Sequence, residues 1–315
     1  MSVSATMSGL AERIISYDPQ PRDAKAAGRV KAAIIMTFGK TLSGASAAIT
    51  TALLATSGVA ASGGSSLVFG TERRTSAVAA ALINATAVAA ASKSVPDAAN
   101  AAFVVALFAL CEERGKAGQE FIDALIAGAE ISRSQPSAGQ LGAAVLGSVA
   151  AAARLLGLNR AKTAAALVMA SVANAGNPAA GQGGVEAFLV GQSLSNALLA
   201  ALLAEAMDEA SCQEMLSGER LASGDDSSGP EALDLLAVQS PPGADLWDQF
   251  DQDVGAVLPR DDVAPLFERL ETIEKVKDLA TVSRLLQGRG TRAAPKKVVF
   301  APRGTHEPEE TNWVP

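Results

Sequence analysis

From Arg22 to about Leu203 the chain places alanine, leucine, valine and isoleucine at spacings of three and four, with breaks marked by Gly, Ser or Pro. That spacing follows the 3.6-residue turn of an α-helix and not the two-residue alternation of a half-buried strand. A succession of helices joined by short loops is the fold such a pattern allows. Only 4 % of residues are aromatic, so the core must be built from small aliphatic side chains, which let helix axes approach closely. With 49 % apolar residues, 19 % charged and a mean hydropathy of +0.22, the 315-residue chain can bury a sizeable core as one large domain or two modest ones.

The spacing predicts helices over 76–91 and 97–114, separated by Ser92-Lys93-Ser94-Val95-Pro96, where the proline forbids a continuous helix. Further helices are predicted over 118–131, 139–156, 160–174 and 185–210. The run Ser66-Leu67-Val68-Phe69, between Gly64 and Gly70, reads as a brief extended segment covering the bundle. After Ser217 the composition shifts to acids, Ser, Pro and Gly, most densely in 223–230, which reads as a linker or an excursion. Two short amphipathic helices follow, with Leu266, Phe267, Leu270 and Ile273 on one stripe and Val276, Leu279, Val282 and Leu286 continuing it. The expected organisation is a helical domain over 1–217, an acidic linker over 218–257, docking helices over 258–287, and a charged, flexible tail over 288–315.

Charge and residue inventory narrow the function. A net charge of −7 and a pI near 4.9 argue against nucleic acid or an anionic membrane as a partner, since both require a positive field. The one histidine of the chain is His306, close to the C-terminus, so the body of the protein has neither the commonest general base nor the commonest metal ligand. Cys111 and Cys212 make no metal spacing and no disulfide framework. No metal and no cofactor are expected. The first 18 residues have no basic segment followed by an apolar stretch and a small-residue cleavage site, and the expected location is the cytoplasm. The most apolar windows, 101–111 and 141–158, are cut short by charged or small polar residues and read as core helices, so no membrane span is expected.

Several stretches, in order and spacing over about 200 residues, together carry a resemblance to a known family. They are Val30-Lys31-Ala32-Ala33-Ile34-Ile35-Met36-Thr37-Phe38-Gly39, then Ser66-Leu67-Val68-Phe69-Gly70-Thr71-Glu72-Arg73-Arg74-Thr75-Ser76-Ala77 leading into Ala81-Leu82-Ile83-Asn84-Ala85. Ala109-Leu110-Cys111-Glu112-Glu113-Arg114-Gly115 and the run from Ala150 to Leu158 complete the set. Together these stretches resemble the MmgE/PrpD family, which includes 2-methylcitrate dehydratase, cis-aconitate decarboxylase and iminodisuccinate epimerase, and whose fold is a large all-α domain with a smaller α/β lid. The resemblance covers about 8–217 and 258–287 and implies an all-α, MmgE/PrpD-type helical domain without the α/β lid.

It also implies an altered catalytic set. Where the family carries an aspartate-rich helix end, this chain has Ser92 and Ser94; the family's two histidines fall near Ala98 and Ala138; a family lysine falls at Glu186, reversing the charge. Dehydrating or decarboxylating a tricarboxylate needs cations for its carboxylates and an acid and base within reach of the reacting carbon.

The candidate pocket residues are Asn84, Ser92, Lys93, Ser94, Asn174, Glu186 and Asn196. Lys93 between two hydroxyls could serve as a base or anion anchor, and a surface loop capping the next helix accounts for the same residues. The Gly-rich loop that follows Asn174 could present backbone amides to an anion or simply connect two helices. Glu186 could act as a carboxylate in the old pocket or as an acid favoured by a helix N-terminus. Asn84 and Asn196 could line a pocket or tie helices together. Two functions follow from different classes. One is a protein without the ancestral lyase activity, a homodimeric scaffold or the partner of a full-length relative. The other is an enzyme with a repurposed pocket, a lyase, isomerase or cyclase acting on a small-molecule ligand.

Overall fold

The computed structural model describes residues 3–17, 24–61, 63–135, 138–175, 183–218, 245–255 and 257–288. Over these the chain is all-α, as the spacing predicted, with one two-residue hairpin. Helices α1 (Val3–Ser16) and α2 (Ala24–Gly44) lead into α3 (Ala48–Ala55), and the chain bends by 73° between the last two. Strands β1 (Ser66–Leu67) and β2 (Arg74–Thr75) pair antiparallel, with Ser66 opposite Thr75. Then come α4 (Ala77–Ala90), α5 (Val95–Glu113), α6 (Gly118–Arg133), α7 (Gly139–Leu156), α8 (Arg160–Ala173) and α9 (Gly184–Ala206). The chain continues through α10 (Glu209–Gly218), α11 (Leu246–Val254), α12 (Arg260–Glu271) and α13 (Ala280–Ser283).

Helix boundaries follow local chemistry. Ser76 caps α4 by accepting the Ala79 N–H, and Ser94 caps α5 by accepting that of Asp97, with Pro96 in the first turn where no amide donor is required. Asn159 caps α8 through the Lys162 N–H at 3.0 Å, and Gly157, at φ 64°, closes α7 in the left-handed region. The helix predicted over 185–210 is two: Met207 is extended, and Asp208 starts α10 by accepting the Ser211 N–H at 2.7 Å. Residues 246–254, inside the stretch expected to be a linker, form α11, which packs on α2 through Phe250 and Val254. The residues 219–244, the loop residues 176–182 and the tail from 289, His306 included, lie outside the described residues.

α5 is the centre of the fold. Fifteen of its 19 residues are buried, and α2, α4, α7 and α9 surround it. The few aromatic residues concentrate here: Phe38, Phe69, Phe108 and Phe121 form an edge-to-face cluster with ring centroids 4.8–5.8 Å apart. The extended run around Phe69 is therefore part of the core and not a cover on it. Elsewhere small residues set the spacing. A Cβ on Gly191 of α9 would come within 2.1 Å of Thr86 Oγ1 and 2.7 Å of Leu82 O on α4. By length and composition α5, α7 and α9 could each cross a membrane, more than the interrupted apolar windows suggested; most of each such stretch is buried in this fold.

At the C-terminal end of the described residues, Leu266, Leu270, Ile273, Leu279, Val282 and Leu286 are buried. Their backbone also joins the bundle: the Gly118 N–H donates to Val276 O at 2.8 Å and the Gly70 N–H to Leu286 O at 3.0 Å. Gly118 and Gly288 are required by closeness, because a Cβ on Gly118 would meet Ile273 O at 1.8 Å and one on Gly288 would meet Gly70 O at 2.2 Å.

Candidate functional site

Three helix starts and one helix end enclose a cleft of about 400 Å³. One wall is the start of α3, Ala47 to Ile49. The second is the end of α4 and its loop into α5, with Ser92, Lys93, Ser94 and Ala98. The third is the start of α9, with Gly183, Gly184 and Glu186. Ser94 caps α5, but Ala47 and Gly183, at the cap positions of α3 and α9, provide no capping side chain. Helix starts carry amide donors without intrahelical partners and the positive end of the helix dipole, so the cleft favours negative charge.

The two serines of the cleft have defined partners. Ser92 Oγ donates to Val88 O at 2.8 Å, one turn back in α4, which commits its proton and leaves its lone pairs free to accept. Ser94 Oγ accepts the Asp97 N–H at 3.4 Å and keeps its own proton to donate. Lys93 is exposed on its loop. Glu186 is in the first turn of α9 and half-buried; its carboxylate does not fold back onto the start of its own helix. Among the described residues neither Lys93 nor Glu186 makes a hydrogen bond or an ion pair within 4.0 Å.

The predicted site residues therefore divide. Ser92, Lys93 and Ser94 meet Glu186, more than ninety positions further on, in one cleft, and the three asparagines lie outside its lining. Asn84 is a helix-to-hairpin tie: its Oδ1 accepts the Phe69 N–H at 3.0 Å and its Nδ2 donates to Leu67 O at 2.8 Å. Asn196 accepts from Gln192 Nε2 at 2.8 Å within α9, and so neither lines the cleft nor ties helices through that bond. Asn174 ends α8, its Nδ2 donating to Ala170 O at 2.7 Å. Of the two alanines where the resemblance places histidines, Ala98 lines the cleft and Ala138 caps α7 outside that lining.

Sequence reasoning missed one wall of the cleft and one partly buried acid that lies outside its lining. The start of α3 supplies a wall with no signal beyond three apolar residues. Asp253 of α11 lies against Gly39, is half-buried, and has an Oδ2 that finds no hydrogen-bond donor among the described residues. Burial pushes its carboxyl above the usual aspartate range, and the nearby Lys40 and Lys93 charges oppose that shift. Its place in an acidic run had made it read as linker. No cluster of three or more His, Cys, Asp or Glu residues able to hold a metal is found among the described residues.

Among its described residues the chain is an all-α bundle with an amide-rich cleft where three helix starts meet, and no histidine is in that cleft's lining. The MmgE/PrpD N-terminal domain model matches residues 8–223, more than half of the chain, and the protein belongs to the MmgE/PrpD family. A search of curated proteins finds no match to this chain.

Proposed function

We propose that this family member has lost the ancestral dehydratase and decarboxylase chemistry and acts as a binding or scaffold subunit, as a homodimer or with a full-length relative. The observation that carries the reading is the make-up of the cleft. Among the described residues its lining holds two ionisable side chains, Lys93 and Glu186, with alanine and serines at the positions where the resemblance expects a histidine and carboxylates. Losing a positioned acid or base costs about 10²–10⁴-fold in rate, and here several such positions are changed together. The stretch 219–244, between α10 and α11, is too short for an α/β domain, which supports a lid-less organisation. A cytoplasmic location without nucleic-acid or membrane partners accords with the net charge of −7.

A second reading, an enzyme with a repurposed pocket working as a lyase, isomerase or cyclase, is favoured by the convergence of Ser92, Lys93, Ser94 and Glu186 on one cleft. Holding a reactive ligand in a near-attack geometry accelerates some rearrangements without a full acid–base set. Two measurements on the purified protein separate these readings: turnover assays with 2-methylcitrate and cis-aconitate, and native mass spectrometry of material from its own host. No turnover with a homodimer or mixed complex is the expected result, and dehydration or decarboxylation of either acid refutes the primary reading. A retained small molecule that is converted on incubation transfers support to the second.

A further inference from the structure

The cleft holds two opposite charges that do not neutralise each other. Lys93 stands on the loop between α4 and α5, and Glu186 stands in the first turn of α9; both line the same 400 Å³ space, and no ion pair within 4.0 Å joins them. A pocket adapted to a simple dianion gains nothing from Glu186, whose charge repels the ligand and offsets the field of the helix starts. A pocket adapted to a cation gains nothing from Lys93 or from those helix starts. The two hydroxyls repeat the division, Ser92 able to accept and Ser94 able to donate.

From these walls we infer that the ligand is a small dipolar molecule carrying both an anionic group and an ammonium, of amino-acid size and class. Its carboxylate lies between Lys93, Ser94 and the amide ends of α3 and α9; its ammonium lies against Glu186 and the Ser92 lone pairs. Both charges of the ligand then meet their complement, and both charges of the cleft lose their isolation. Cleft volumes of about 300–1,000 Å³ are typical of small-ligand sites, so the space admits such a molecule with some water.

This inference rests on the reading of the cleft as a ligand site, and the test distinguishes the two. Glutamate and glutarate share a five-carbon skeleton and both carboxylates and differ only in the ammonium. Calorimetric titration of the full chain with each is expected to show glutamate at least about tenfold tighter, a difference of 1.4 kcal/mol. Glu186→Gln should abolish that preference by weakening glutamate while leaving or improving glutarate, and Lys93→Met should weaken both, with unchanged thermal unfolding as evidence of intact folding. Equal or tighter binding of glutarate, or a preference that survives Glu186→Gln, overturns the dipolar assignment and leaves a cleft for simple anions. Failure of both probes to bind overturns the ligand-site reading and this inference with it.

Discussion

Replacing Gly191 by alanine adds one methyl group at the point where α9 lies on α4. The new Cβ would stand 2.1 Å from Thr86 Oγ1, 2.7 Å from Leu82 O and 3.0 Å from Thr86 N. The hydroxyl cannot simply turn away: Thr86 is β-branched, fully buried, and donates to Leu82 O at 2.8 Å. The carbonyl is backbone and moves only if the helices separate. Separation also stretches the next contact up the seam, where Ser195 Oγ donates to Val78 O at 3.0 Å. Overpacking of this kind costs about 1–3 kcal/mol, a weakened buried hydrogen bond adds up to about 1 kcal/mol, and the helix propensity of alanine over glycine returns about 1 kcal/mol. A net loss of about 2 kcal/mol is expected, read as a lower urea midpoint at unchanged slope. Gly9→Ala in α1 is the control, because nothing lies within 4 Å of its added Cβ, and it should stabilise by up to about 1 kcal/mol. Adding Thr86→Ala to Gly191→Ala should restore part of the loss but not all of it, since Leu82 O remains. A Gly191→Ala protein as stable as the parent would refute the account of small residues setting the helix spacing.

Three further outcomes follow from the same contacts. Asn84→Ala leaves the buried Phe69 N–H and Leu67 O without partners and should cost about 2–6 kcal/mol by chemical denaturation, counting about 1–3 for each orphaned group; a cost below about 1 would mean that water replaces the side chain. Phe108→Ala empties the centre of the aromatic cluster and should cost about 3–5 kcal/mol, against little change for truncation of the exposed Val185. Burial raises the Glu112 carboxyl above its ordinary 4.5, although the Leu67 N–H, Arg74 and Ser283 oppose the shift. The folded state then binds the proton more tightly than the unfolded one, so the contribution of Glu112 to stability is full below pH 4.5 and is lost as pH rises through the raised value. The parent should therefore lose stability relative to Glu112→Gln as pH rises above 4.5, measured as the difference between the two unfolding curves; a constant difference from pH 4 to 7 would show that the Arg74 pairing has cancelled the cost of burial.

Long amphipathic or fully apolar helices could be read because their signal is local: the cores of α4 to α8 fall where the spacing places them, and Gly139–Leu156 matches residue for residue. Pro96 and Ser94 made the start of α5 readable within two positions. The break at Met207 was hidden because Leu203, Ala204 and Ala206 continue the helical pattern through it, and only the cap made by Asp208 ends it. Helix α11 was hidden by acidity: Trp247, Phe250 and Val254 supply one apolar face, but Asp245, Asp248, Asp251 and Asp253 dominate the composition. For the site, the loop residues Ser92 to Ser94 and Glu186 were found because they flank helix ends and because the resemblance singled them out. The asparagines misled, since a buried amide signals a need for partners without saying whether these are backbone or ligand. The part played by Ala47, Ala48 and Ile49 depends on the 73° turn between α2 and α3, which is a tertiary event with no mark in three apolar residues.

The C-terminal docking has a consequence for how the chain is made. Gly70, Lys31 and Gly118 receive their partners from Leu286, Glu274 and Val276, the Lys31–Glu274 pair spanning 243 positions. During synthesis α2 to α9 leave the ribosome long before those partners exist, at roughly 5–20 residues per second. For that interval the nascent bundle exposes the surface that Leu266, Leu270 and Ile273 later cover, and the Gly70 and Gly118 amides must be satisfied by water. The last 30 described residues act as the closing stitch of the fold, and a ribosome stalled before them releases a bundle whose open seam is a site for chaperone capture.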